Sequence, residues 1–340
     1  MNVFITSIKR FFLLLAVVVF CSGCASAYLD SSGSNPWETV TLPTEETALD
    51  IAFVDRQHGW IVGKRATLLE TFDGGKNWSE KRLDLSDTQA YNLTSISFAG
   101  NEGWVVGEPS IMLHTTDAGA SWERIALSPQ LPGTTRMVTA IGEKSAELVT
   151  DVGAIYRTED SGKHWKAMVD ESVGMFRNIA RSSDGRYITV SSRGNFYSTW
   201  EPGQSAWQQH NRTSSRRLQN MGFGSDGRLW LLARGGVVQF SEPDTLENWD
   251  EQVAPEFSTS WGLLDLAYRT PDEIWLSGGS GNLLVSTDGG ASWKKDRAIE
   301  NVPSNLYRVV FPSSDQGFIL GKGNILLRYI GQPLDESTSA

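Results

Sequence analysis

The stretch TFDGGKNW (71–78) returns as TTDAGASW (115–122), TEDSGKHW (158–165) and STDGGASW (286–293). Each copy has a Ser or Thr, an Asp two places on, a Gly, and a closing Trp. Those tryptophans belong to a longer series: Trp37, Trp78, Trp122, Trp165, Trp207, Trp249 and Trp293, in steps of 41, 44, 43, 42, 42 and 44 residues. A period of this size marks a repeat architecture in which each unit is one small antiparallel sheet.

Short apolar runs fill the space between the tryptophans. First runs include Leu49–Phe53, Leu93–Phe98, Phe176–Arg181 and Leu306–Phe311, and second runs include HGWIVG (58–63), EGWVVG (102–107) and QGFILG (316–321). A third run leads into each Asp turn. Runs this short, split by Gly, Asp and Asn, predict strands and not helices. Four strands in each of seven units predict an all-β, seven-bladed propeller. The last unit lacks an outer strand, and Trp37–Leu42 is an outer strand without a blade. Pairing the two closes the ring and removes its exposed edges.

The Asp turn has a local explanation. The Ser/Thr hydroxyl and the Asp carboxylate accept backbone N–H groups inside a tight hairpin, and Gly takes a conformation closed to other residues. The motif matches the Asp box of sialidases, sortilin-type receptors and other propellers. A structural lock is the expected role of Asp73, Asp117, Asp160 and Asp288, since turns repeated around a rim cannot all be active sites.

Organisation follows from the ends inward. Residues 1–23 read as an export signal, with Lys9 and Arg10 before an apolar run from Phe11 to Phe20. Cys21-Ser22-Gly23-Cys24 resembles a bacterial lipobox with Cys24 as the lipidated residue, although Leu is usual where Cys21 stands. Cleavage after Ala25-Ser26-Ala27 is the alternative. Residues 24–36 are then a linker, 37–331 one propeller, and 332–340 a polar tail. Cys21 and Cys24 are the only cysteines, so the propeller holds no disulfide. The formal charge of −10 argues against nucleic acid as a partner.

No catalytic group stands out. His58, His114, His164 and His210 lie in separate repeats without metal-ligand spacing, and no G-x-S-x-G, P-loop or H-E-x-x-H occurs. No enzyme activity, metal or cofactor is expected. One stretch departs from the acidic background. Between Phe176 and Gly235 stand nine arginines and no lysine against Asp184, Glu201 and Asp226, a local excess of six positive charges. Arginine suits paired hydrogen bonding to carboxylates. Propeller topology places Arg177, Arg212, Arg216 and Arg217 before or at the opening of first strands, and Arg193 and Arg234 after second strands. These six are expected on the face opposite the Asp turns, with Arg136 nearby. Arg186 and Arg228 face the other way, and Arg181, at the end of a first strand, is ambiguous. Trp200 and Trp261, outside the regular series, are candidates for aromatic contacts or for packing.

Signal, lipobox, seven blades with recurrent G-W-x-V-G and T-x-D-G-G-x-x-W, and an Arg-rich middle together resemble the photosystem II stability/assembly factor family. The resemblance covers about residues 37–331. It implies a monomeric, non-catalytic assembly factor, lipid-anchored on the lumenal side of the thylakoid membrane. Such a factor binds newly made D1, including its precursor form, and promotes D1–D2 assembly and repair. The family's basic patch maps onto Arg177, Arg181, Arg193, Arg216, Arg217 and Arg234, and Arg212 joins them as a candidate partner contact. Two alternatives remain open at this point. A sialidase-like glycoside hydrolase would need converging arginines and a Tyr nucleophile at the axis, typically on six blades. A carbohydrate- or protein-binding surface propeller would need an exposed aromatic platform.

Overall fold

The computed structural model describes residues 35–85, 89–243, 245–255, 262–296, 302 and 304–331. The proposed signal, Cys24, Trp261 and the tail 332–340 lie outside the described residues. Seven antiparallel sheets follow in chain order, and the strands run from Trp37 to Tyr329. Six sheets have four strands. In blade 5 the outer position is filled by a segment that, among the described residues, forms isolated bridges at Val238↔Val253 and Ser241↔Trp249. This blade carries SEPDTLENW where the others carry an Asp box, and Pro243 has no N–H to offer a ladder.

The ring closes as the sequence implies. Trp37–Val40 pairs with Ile325–Tyr329 of blade 7 in the register Trp37↔Tyr329 to Val40↔Leu326. Arg328 reaches Glu38 across that pair at 2.6 Å. Trp37 is buried and meets the rings of Trp275 and Tyr329 edge-on, each at 5.2 Å between centroids. Aromatic pairs in this geometry contribute beyond their buried area.

Second strands form the core because both of their faces are covered by neighbouring blades. GWIVG (59–63) is buried at every position, and so is IWLSG (274–278). Each Asp box seals a seam between blades. Thr71 Oγ1 donates to Asp73 Oδ1 at 2.8 Å and accepts the Gly75 N–H, while Asp73 accepts the N–H groups of Lys76 and Asn77. In the next box Gly119 has φ +92°, and a Cβ there would lie 2.3 Å from the Trp60 ring of blade 1. Trp60 also donates its indole N–H to the Ala118 carbonyl at 3.0 Å. The Gly of the motif is thus needed twice, for its backbone angle and for close approach.

A second repeated device lies at the axis. Every innermost strand carries a bulge within its first three residues, at Leu49, Thr94, Arg136, Arg177, Gln219, Leu264 and Tyr307. The bulge turns the following residue toward the next blade. Asp50 accepts the Ile96 N–H at 3.0 Å, Ser95 the Val138 N–H at 3.3 Å, and Asn178 the Met221 N–H at 3.3 Å. Asn220 donates to the Leu264 carbonyl at 2.8 Å, and Asp265 accepts the Val309 N–H at 2.9 Å. Arg308 completes the circuit on Asp50 at 2.9 Å. Among the described residues, blade 3, with Met137 at this position, makes no such link.

Candidate functional site

The two ends of the propeller are defined by backbone hydrogen bonds. Asp turns join the hairpins between first and second strands, as in Gly74 N–H to Gln57 O and Ala118 N–H to Asn101 O. At the other end, hairpins between second and third strands join the loops that enter each blade. Examples are Ser192 N–H to Met175 O, Arg234 N–H to Arg217 O and Gly279 N–H to Gly262 O.

Six of the sequence-predicted arginines stand at this second end. Arg193 and Arg234 stand in the hairpins between second and third strands of blades 4 and 5, each followed by a glycine with positive φ, Gly194 at +71° and Gly235 at +84°. The Leu218 N–H donates to the Gly194 carbonyl at 2.8 Å, which braces the blade 4 hairpin on blade 5. Arg193, Arg216, Arg217 and Arg234 are exposed. Arg216 lies over Gly235, and Arg212 donates to the Arg216 carbonyl at 2.8 Å.

Arg177 ties the group together. Its guanidinium donates to Ser192 O at 2.8 Å, to Leu218 O at 3.1 Å and to Gln219 Oε1 at 2.9 Å. All three are neutral oxygens. Burial, and then the charges of Arg234 and Arg217, hold its pKa below the usual arginine value. Burial lowers Arg212 as well. Among the described residues, none of these six has a carboxylate within ion-pair distance.

The arginines of the opposite end behave differently. Arg186 meets Asp184 at 2.9 Å and Arg228 meets Asp226 at 2.6 Å, with their guanidiniums over the rings of Phe223 and Phe240. Arg181 belongs with these, and its place in the predicted patch is corrected. It sits four residues beyond Arg177 on one strand, a separation of about 13 Å. There it donates to Glu147 at 2.7 Å and lies over Tyr187. Glu147 is on blade 3, 34 positions away, so sequence-local reasoning had no sight of the pair.

The remaining predicted residues are held locally. Hydrogen bonds from Ser121 and Thr115 take Asp117 down to about 2; for Asp73 and Asp160 the turn's bonds outweigh burial, again to about 2. Asp288 is lowered chiefly by the Ser292 hydroxyl. These carboxylates are occupied by their own turns. The histidines pair with acids or hydroxyls nearby: His58 with Glu70, His114 with Glu102, His164 with Asp160, and His210 with Thr199 and Glu247. Among the described residues no group of three or more His, Cys, Asp or Glu side chains could hold a metal ion. Trp200 is buried and donates to Gln204 O at 2.9 Å, so it is a packing residue.

One feature of this end escaped the sequence reading. A cavity of about 260 Å³ opens at the axis, lined by Asp50, Arg136, Met137, Arg177, Ile179 and Arg308 among others. The inner-strand positions recur every 41 to 45 residues, but their residue types differ from blade to blade, so no motif advertises them.

Comparison with known proteins follows the same architecture. The family described as photosynthesis system II assembly factor YCF48 matches residues 29–330. The photosystem II assembly lipoprotein Ycf48 of Trichormus variabilis is 58% identical over 328 residues, 96% of each chain. A solved structure of YCF48 bound to D1 peptide is 57% identical with a TM-score of 0.88, covering 90% of this chain and 99% of that one. YCF48 from Cyanidioschyzon merolae is 37% identical with a TM-score of 0.81, covering 87% and 98%.

Proposed function

The chain belongs to the Ycf48 family of photosystem II assembly factors, and we propose that it binds newly made D1, including its precursor, and promotes its assembly with D2 during synthesis and repair. Binding runs through the face formed by Arg177, Arg193, Arg212, Arg216, Arg217 and Arg234. A lipid on Cys24 holds the propeller at the lumenal surface of the thylakoid membrane, where several acyl chains give stable attachment. The role is one of docking, not of catalysis.

One observation carries the reading. Six guanidiniums gather on two adjacent blades with no carboxylate among the described residues within ion-pair distance, whereas the three arginines at the opposite end of the same blades are each paired. Like charges gathered in this way repel one another, and an acidic partner segment relieves that repulsion on docking. The solved complex of a 57% identical relative with a D1 peptide supports the choice of partner. The 58% identical relative's name, a lipoprotein, supports the anchor.

The experiment is a pull-down from detergent-solubilised membranes with wild type and a folded Arg216→Glu/Arg217→Glu variant. Wild type is expected to recover D1-containing assembly intermediates in a salt-sensitive manner, and the variant to lose them. Equal recovery by both would remove the arginine face from the mechanism. Recovery of no photosystem subunit by either would remove the partner as well.

A further inference from the structure

One surface position recurs in all seven blades, and its chemistry changes in order around the ring. Third strands run toward the Asp-turn end, and the residue that follows each of them stands on the rim there. The strand register aligns these residues. Gly59↔Thr71, Gly103↔Thr115, Ala146↔Thr158, Tyr187↔Trp200 and Ile274↔Ser286 are equivalent pairs. Ser241 and Tyr329 take the same place one step beyond Trp230↔Phe240 and Phe318↔Arg328. The residues that follow are Phe72, Thr116, Glu159, Glu201, Glu242, Thr287 and Ile330, on blades 1 to 7. Glu201 is partly exposed and the others are exposed. Blades 7 and 1 are thus apolar here, blades 2 and 6 beside them carry Thr, and blades 3, 4 and 5 across the ring carry Glu.

Phe72 is 65% and Ile330 48% exposed; among the described residues only Met175, at the arginine end, is a comparably exposed large hydrophobic. A single exposed apolar side chain is ordinary. Two at one equivalent position on adjacent blades, with polarity graded away from them, call for a cause. Phe72 is braced by stacking on His58, with ring centroids 4.5 Å apart. Arg56 of blade 1 and Asp315 of blade 7 join the two blades at 2.7 Å, so this corner is one surface. The amino-terminal segment enters at the same corner. Ile330 donates its N–H to the Pro36 carbonyl at 2.6 Å, immediately before the closing strand. Eleven residue steps separate Cys24 from Asn35, so a lipid on Cys24 keeps this corner within about 40 Å of a bilayer. The six arginines lie on blades across the ring and at the opposite end of the strands.

We propose that Phe72 and Ile330 form a membrane-contact corner, which seats in the interfacial layer of the bilayer that holds the anchor. The two apolar side chains leave water on contact, and the anionic rim of blades 3, 4 and 5 is turned away. A lipid on Cys24 alone limits distance and leaves the propeller free to turn. Apolar side chains beside the tether give it a preferred side. The place where the tether enters, and its length, make the bilayer the surface that this corner meets. So held, the propeller carries its arginine end clear of the headgroups. The inference rests on the reading that Cys24 is lipidated, and it adds to that reading the part of the fold that touches the membrane.

The test uses the full mature protein with phosphatidylcholine vesicles. Flotation of wild type against Cys24→Ser reads the anchor by itself. Orientation is read by a polarity-sensitive fluorophore on one introduced cysteine, either Lys76→Cys in the turn that holds Phe72 or Glu242→Cys across the ring. The label at 76 should shift its emission to the blue. A lipid with a nitroxide near its headgroup should quench it several-fold more than the label at 242. Phe72→Thr/Ile330→Thr, which installs the residue of blades 2 and 6, should equalise the two labels with flotation and melting temperature unchanged. Phe72→Glu/Ile330→Glu should do the same and serves if the first variant does not fold. Equal quenching at both positions in wild type would overturn the corner and leave the anchor standing. So would quenching at 76 that survives both double substitutions. A label at 76 already shifted without vesicles would mean that the chain itself or a second copy covers the corner, and would also overturn the membrane contact. If wild type does not float, the anchor reading fails. The same labels, on protein held to nickel-chelating vesicles by an amino-terminal histidine tag, then decide the corner separately.

Discussion

Asp265 should make the propeller less stable as pH rises from about 4 to about 6. Its carboxylate links blade 6 to blade 7 through the Val309 N–H at 2.9 Å and accepts Asn220 Nδ2, also at 2.9 Å. Burial raises its pKa from 3.8 to about 6, against the lowering charge of Arg308 and the bonds from Val309, Leu266 and Asn220. The folded state therefore holds a proton that the unfolded chain releases more readily. Its stabilising effect is complete below the unfolded pKa and is lost as pH climbs through the folded one. A shift of about two units corresponds to about 3 kcal/mol, of which about 2 falls between pH 4.5 and 7.5. Solvent in the channel makes this an upper figure. The assay is urea unfolding of wild type and Asp265→Asn at both pH values. Taking the difference cancels the other groups, and the Asp-box carboxylates, held by their turns below the usual carboxylate range, lie outside the window. Asparagine cannot accept all the present bonds, so the variant should be weaker at pH 4.5 and should close or reverse that deficit by pH 7.5. A wild-type minus variant difference that is flat across this range would refute the reasoning.

Three further outcomes are expected. Gly119→Ala places a methyl group against the Trp60 ring at a backbone angle of φ +92°, and should cost about 2–4 kcal/mol in chemical denaturation. Trp37→Ala removes a buried indole from the closing blade; it should cost about 3–5 kcal/mol and lower the melting temperature, while the same change at an exposed closing-strand neighbour such as Thr39 should not. Arg181→Ala leaves Glu147 with Tyr187 and the distant Arg157. It should destabilise the fold by about 2–3 kcal/mol yet leave partner affinity unchanged, the opposite of the Arg216→Glu/Arg217→Glu variant.

The period of the tryptophans made the blade count and the ring closure legible, because each repeat must bury the same faces against its neighbours. Strand order then sorted most of the arginines correctly: a residue just after a second strand and one just before a first strand must share an end of the propeller. Sequence reasoning could not see counterions. Arg181 and Arg177 look alike in FRNIAR, and only the fold shows that Glu147 of the adjacent blade waits at one end of that strand and, among the described residues, no acid pairs at the other. The axial belt was hidden for another reason. Its bulges shift the alternation of each inner strand by one residue, and positions 50, 95, 137, 178, 220, 265 and 308 carry five different residue types.

The same contrast bears on why the arginines stand where they do. At the Asp-turn end, Arg181, Arg186 and Arg228 are each paired with an acid and rest on an aromatic ring, as expected where selection acts on stability alone. At the other end burial and then the charges of Arg234 and Arg217 depress Arg177, a repulsion that no carboxylate among the described residues relieves. Glycines at 194 and 235 hold the two hairpins that raise Arg193 and Arg234 into solvent, so the exposure is built into the backbone. The docking role proposed above accounts for an arrangement that weakens the isolated protein, since guanidinium charge and planar donors suit an acidic partner.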